Sequence, residues 1–141
     1  PLRYFTVYGP RMRPDLSIRI FMEKALRNEP LIVYGNGNKK RSFTYIDDVV
    51  EATILAIEKG KSEPYNIGSE QSISINELLE KIISITGSKS KIIYKEEKKG
   101  DMDYTFAQTT KAKDELGWQA KTKIDEGLNK YLIWLKNQSY F

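Results

Sequence analysis

Strand-like and helix-like segments alternate along the whole chain, and that alternation restricts it to an α/β fold. Residues 2–8 are rich in β-branched and aromatic side chains and close on Gly9-Pro10, a strand followed by a stop. After Pro14-Asp15, the apolar residues Leu16, Ile18, Ile20, Phe21, Ala25 and Leu26 keep a roughly helical spacing that runs out near Asn28-Glu29-Pro30. Leu31–Tyr34 reads as a short strand, Gly35-Asn36-Gly37-Asn38 as a turn, and 42–46 as a second strand, so these two are expected to form a hairpin. Asp47 or Asp48 is expected to cap a helix through Glu58 that turns Val49, Ala52, Thr53, Ala56 and Ile57 to the core.

The second half continues the pattern. Tyr65-Asn66-Ile67-Gly68 is a strand, and Ser74-Ile75-Asn76-Glu77 fits a capping box that opens a helix carrying Leu78, Leu79, Ile82, Ile83 and Ile85. Gly87 stops that helix, 91–95 is a strand, and 96–100 is a charged turn. Helices over 110–116 and Ile124–Lys136 follow, the last packing Leu128, Tyr131, Leu132 and Leu135. No linker or internal repeat divides the chain, which predicts one α/β unit over residues 1–141. Within it, the strand at 2–8 has no earlier segment to pair with. That is the expected beginning of the back half of a larger α/β protein, with chemistry supplied from a front half.

Composition removes several classes of function. The 141 residues contain neither cysteine nor histidine, so thiolate or imidazole metal sites and Ser-His triads are excluded within them. A cysteine-free chain suits a reducing cytoplasm, the expected location. No apolar run approaches the roughly 20 residues of a membrane span, and no membrane partner is expected. The 23 basic and 19 acidic residues leave a net charge of +4. That is a small excess for a polyanion binder, so the lysine clusters read as a solvated surface and no nucleic-acid partner is expected.

Two sequence matches to catalytic motifs fail on their context. Gly35-x-Gly37 lacks the third glycine of a dinucleotide fingerprint and leads into a strand, so no helix N-terminus is offered to a pyrophosphate. Tyr94 and Lys98 have the Tyr-x-x-x-Lys spacing of a dehydrogenase dyad. That spacing puts two side chains on one face only in a helix, whereas Tyr94 ends a strand and Lys98 sits in a turn. No catalytic dyad is expected. The candidates that remain hold ligands. Arg41 stands at the entrance of a strand–turn–helix passage, where its fork suits a phosphate. Lys98 and Asp101 suit a phosphate beside a sugar hydroxyl, and Tyr34 suits stacking on a base, although a tyrosine ending a strand also fits a core position.

The motifs also have a recognisable order. Arg3-Tyr-Phe-Thr-Val-Tyr-Gly-Pro-Arg11, Arg13-Pro-Asp15, Gly35-Asn-Gly37, Arg41-Ser-Phe-Thr-Tyr-Ile-Asp-Asp-Val49, Tyr65-Asn-Ile-Gly68, Gly100-Asp101 and Lys111-Ala-Lys-Asp-Glu-Leu-Gly-Trp118 succeed one another. This series resembles the C-terminal half of the NAD-dependent nucleotide-sugar epimerases and dehydratases, the extended short-chain dehydrogenase/reductase family. The Phe5-Thr-Val-Tyr-Gly-Pro10 and Arg13-Pro-Asp15 segments are most similar to the UDP-glucuronate and UDP-glucose 4-epimerase branch.

The resemblance implies the last Rossmann strands plus a small mixed α/β substrate-binding domain. By similarity, Arg41 binds the diphosphate of a UDP-sugar, Ile32 and Tyr34 flank the uracil, and Asp101 accepts from the ribose. Phe5 would touch the NAD cofactor and Thr6 the substrate. Lys98 stands where relatives often carry arginine or glutamine and keeps the charge without the fork. Thr6 stands where many carry asparagine. The family's glycine-rich NAD loop and Tyr-x-x-x-Lys dyad lie in the N-terminal half, which oxidises the sugar at C4 and reduces the 4-keto intermediate on the other face. The expected whole protein is therefore a homodimeric, NAD-dependent UDP-sugar 4-epimerase, and the present chain is its inactive substrate-binding portion. A dehydratase or decarboxylase of the same family, or a non-catalytic nucleotide-sugar-binding module, are the alternatives.

Overall fold

A computed structural model describes residues 1–97 and 104–138. The strand expected over 2–8 is two strands, β1 (Leu2–Tyr4) and β2 (Val7–Tyr8), because the chain changes partner between them. β1 runs parallel to β6 (Tyr65–Ile67), and the pairing extends to the Phe5 N–H, which donates to the Ile67 carbonyl at 3.0 Å. β2 instead runs parallel to β5 (Thr44–Tyr45), reached through the Thr44 N–H donating to the Thr6 carbonyl at 3.1 Å. Phe5 and Thr6 thus sit where one strand leaves one neighbour and takes another.

The hairpin expected from 31–34 and 42–46 does not form. β3 (Leu31–Tyr34) lies parallel to β8 (Ile92–Lys95), and β4 (Lys40–Ser42) lies antiparallel to β7 (Ser72–Ser74). A tight hairpin of the favoured type needs two consecutive central residues with positive φ. Here Gly35 (φ +81°) and Gly37 (φ +76°) are separated by Asn36, which does not have one. The chain therefore leaves β3 through an open bend, and each strand finds its partner far along the sequence.

Helix α1 (Ser17–Leu26) buries Ile18, Phe21 and Ala25 as its apolar spacing predicts; Met22, which the spacing does not single out, is buried with them, and Ile20 is exposed. Helix α2 (Ile46–Lys59) begins one residue before the aspartates, with Tyr45 at the N-cap and no side-chain cap. Asp47 and Asp48 fall in its first turn, where carboxylates suit the helix dipole. Asp48 is buried, and its carboxylate accepts from the Thr122 N–H at 3.0 Å, while its backbone carbonyl accepts from Trp118 Nε1 at 2.9 Å. It is a tether for the 117–122 segment rather than a cap. Ile57, expected in the core, is 82% exposed; the buried line of α2 is Asp48, Val49 and Ala52.

Helix α3 (Ile75–Thr86) opens on the expected capping box. Ser74 Oγ accepts from the Glu77 N–H at 3.1 Å, and Glu77 Oε2 accepts from the Ser74 N–H at 2.7 Å. It ends at Gly87 in the left-handed region. In the helix expected over 110–116, Ala112–Leu116 form a π-helical turn, and α4 (Ile124–Lys136) has its expected bounds.

Two cores result. The larger joins α1, α3 and α4 to β2 and β3 through Met22, Leu31, Leu78, Leu79, Ile82, Leu128 and Tyr131. The smaller joins α2, β6 and the π-turn through Ala52, Ile67, Leu116 and Trp118. Among the described residues no helix is long and apolar enough to cross a membrane.

Candidate functional site

Between the end of β3, the start of β4 and the N-terminal parts of α1 and α3 lies a cleft of about 250 Å³. Phe21, Val33 and Phe43 form its floor, all less than a tenth exposed. Phe43 is held from behind by the Tyr8 ring, edge to face at 6.4 Å between centroids. Burial pushes the Tyr8 hydroxyl well above the usual phenol range, so this support stays neutral.

The walls are polar and basic. Thr6, from the partner-changing point of the first strands, and Ser17, from the start of α1, supply hydroxyls. Lys39 and Arg41 line the cleft and Lys40 does not, as alternation along an extended segment requires. Lys39 is largely shielded, and its Nζ lies 2.5 Å from Glu97 Oε1. An Arg41 guanidinium N–H donates to the Lys40 carbonyl at 2.9 Å. Tyr34, 46% exposed, stands at the mouth beside Gly37 and Ile75. Two cations on one wall suit a ligand with several anionic oxygens, and an apolar floor with an accessible ring suits a planar heterocycle.

The cleft gathers three of the residues singled out in the sequence: Thr6, Tyr34 and Arg41. It does not gather Ile32, which pairs across the sheet with Ile93, nor Phe5, whose side chain lies against Gly68. Lys98 and Asp101 lie outside the described residues. Sequence reasoning passed over Ser17, Phe21, Lys39, Phe43 and Ile75. Lys39 had a signal, since it stands two residues before Arg41 in an extended stretch. Ser17 and Phe21 had none beyond an amphipathic helix.

The described residues do not fit the diphosphate of a dinucleotide cofactor. The glycine-bearing bend runs into β4, and the neighbouring helix N-terminus is already used: the Ile75 N–H donates to the Lys39 carbonyl, the Asn76 N–H to that of Gly37, and the Glu77 N–H to Ser74 Oγ. Among the described residues no group of acidic side chains is placed to hold a metal ion either.

Short, mostly parallel strand pairs covered by helices, with the cleft where the first strands part, match a class of solved structures: the extended short-chain dehydrogenases that act as epimerases and dehydratases. Within it, the chain belongs to the GDP-mannose 4,6-dehydratase family, whose model matches residues 2–131. It is 39% identical over 136 residues to a UDP-glucuronate 4-epimerase of Thermodesulfobacterium geofontis, covering 96% of this chain and 42% of that protein. A UDP-N-acetyl-alpha-D-glucosaminuronate decarboxylase of Bacillus cytotoxicus is 34% identical, with 96% and 45% covered. The crystal structure of a UDP-glucose 4-epimerase from Thermotoga maritima with UDP-glucose superposes with a TM-score of 0.93 at 39% identity, over 96% of this chain and 45% of that one. A UDP-glucuronic acid 4-epimerase from Bacillus cereus with UDP-glucuronic acid and NAD gives 0.90 at 33% identity, over 96% and 44%. The chain therefore spans less than half the length of the relatives it matches.

Proposed function

We propose that this chain is the nucleotide-sugar-binding part of an NAD-dependent UDP-sugar 4-epimerase. The observation that carries the reading is the cleft itself, where Lys39 and Arg41 share a wall beside Tyr34 above a floor of Phe21, Val33 and Phe43. In this reading Arg41 and Lys39 hold the diphosphate, Tyr34 flanks the uracil, and the Thr6 and Ser17 hydroxyls face the rest of the ligand. Asp101 and Lys98 complete the grip on ribose and phosphate, and Phe5 belongs to the cofactor side.

NAD supplies hydride exchange at the sugar's C4 in the whole enzyme. No step of that exchange is derived from this chain, whose described residues lack the cofactor's phosphate cradle. Their part is to bind, to orient the sugar and to exclude water from one side of the cleft. An apolar stripe on α2 supports the view that further enzyme packs here. Val50, Ile54 and Ile57 follow one another at helical spacing and are 50%, 52% and 82% exposed. Decarboxylation is the second reading, favoured by the Bacillus cytotoxicus relative.

Calorimetric titration of the 141-residue protein with UDP, dTDP and GDP tests the binding role. UDP is expected to bind in preference, and Arg41→Ala is expected to weaken it about tenfold or more, the worth of a charge-assisted hydrogen bond. UDP affinity unchanged by Arg41→Ala would overturn the assignment. Epimerisation of a UDP-sugar by this polypeptide alone would overturn the division of labour.

A further inference from the structure

We propose that Asn76 is the positioning residue of the cleft, holding the Gly35–Asn38 bend so that Lys39 and Arg41 are presented to the ligand; this rests on the nucleotide-binding reading above. Asn76 lies in the first turn of α3 and reaches back across 40 residues of sequence. Its Nδ2 donates to the Asn36 carbonyl at 3.0 Å and to Asn38 Oδ1 at 3.2 Å. Its backbone N–H donates to the Gly37 carbonyl at 3.0 Å. Its Oδ1 accepts from the Tyr94 hydroxyl of β8 at 3.0 Å, which fixes the orientation of the amide.

One side chain thus ties together α3, β8 and the bend. The fit is close: a Cβ on Gly37 would lie 2.0 Å from Asn76 Oδ1. The bend closes on itself as well, the Asn38 N–H donating to Asn36 Oδ1 at 3.0 Å. Beyond it the chain proceeds through Lys39, whose carbonyl is held by the Ile75 N–H, into β4 and Arg41. The Gly35 N–H still continues the β3–β8 ladder by donating to the Lys95 carbonyl at 2.9 Å, but Asn36, Gly37 and Asn38 belong to neither the β3–β8 nor the β4–β7 pairing. Removing the amide therefore frees the segment that aims both cations, while removing no charge and no ligand contact.

The test is a double-mutant cycle on UDP affinity, with amide hydrogen exchange of 36–39 measured alongside. Asn76→Ala is expected to weaken UDP binding about fivefold, in the range of one lost hydrogen bond, and to speed exchange at these amides. Tyr94→Phe is expected to do the same to a smaller degree. In the Arg41→Ala background Asn76→Ala is expected to cost less affinity than in the parent chain, because only Lys39 is then left for the bend to aim. An additive effect in the cycle, or unchanged affinity when Arg41→Ala does weaken UDP, would overturn the positioning role while leaving the site intact. If Arg41→Ala leaves UDP binding unchanged or UDP does not bind, the nucleotide reading fails. Exchange at 36–39 then decides the clamp alone, and unchanged rates in Asn76→Ala overturn it.

Discussion

Gly37→Ala separates two costs that a glycine in a bend normally hides. Gly37 and Gly87 both have left-handed backbone, with φ of +76° and +65°. An alanine at either pays the backbone penalty of that region, about 1 kcal/mol. The surroundings differ. A Cβ on Gly87 would have nothing within 4 Å, whereas one on Gly37 would stand 2.0 Å from Asn76 Oδ1, 2.6 Å from Cγ and 2.9 Å from Nδ2. The Asn76 side chain must leave, losing its bonds to Asn36, Asn38 and Tyr94. At the low end of the net value of a hydrogen bond, because the sites are exposed, three such bonds are worth about 1.5–2 kcal/mol. Urea denaturation should then show Gly37→Ala costing about 2.5–3 kcal/mol and Gly87→Ala about 1 kcal/mol. In an Asn76→Ala background the two should become nearly equal, because there is no amide left to eject. A Gly37→Ala cost that matches Gly87→Ala in the parent chain, or that is undiminished without Asn76, would refute this account of the bend.

Two further outcomes follow from side chains away from the cleft. The Tyr131 hydroxyl is buried without a hydrogen-bond partner among the described residues, and burial pushes its pKa up to about 12. Since the unfolded phenol ionises near 10, stability is full below that pH and falls as pH rises from 10 toward 12. Tyr131→Phe should remove this share of the alkaline loss and, at neutral pH, leave stability unchanged or raise it by up to about 1 kcal/mol, as thermal melts across pH would show. The opposite sign holds for Glu77, whose carboxyl is held below its ordinary value by the backbone and hydroxyl of Ser74. Its contribution is present above the ordinary carboxylate pKa and is lost as pH falls through the lowered one. Glu77→Gln should therefore flatten the acid limb of a stability profile and cost about 1 kcal/mol at pH 7, the usual worth of a cap; a parallel acid limb would contradict the capping box.

Local signals were legible where they act over a few residues. The Ser74–Glu77 box, the Gly87 stop and the bounds of α4 all depend on spacing within one or two turns, and the structure has them as read. Strand pairing was not legible. β3 meets β8 and β4 meets β7 because the bend at Gly35 and Gly37 sends the chain away rather than back. Short strands carry too little pattern to name a partner some sixty residues or thirty residues distant. Asp48 looked like a cap because its sequence neighbours are those of a helix start; only the return of the 117–122 segment gives its carboxylate an N–H to hold. Ile57 is apolar but lies on the Val50–Ile54 side of α2 rather than on the buried Val49–Ala52 side, and it is 82% exposed.

The sequence by itself determined the class of fold, the order of the elements and three residues that line the candidate site: Tyr34 and Arg41 from their own few neighbours, and Thr6 through the family resemblance. Tertiary structure decided what surrounds them. It brought Ser17 and Phe21 of α1 and Ile75 of α3 to the same cleft and placed Lys39 beside Arg41. It also turned Asn76 onto a bend 40 residues earlier. The physical reason is that side-chain period and capping are properties of adjacent residues. A cleft wall is a property of elements that meet only when their apolar faces have been buried together.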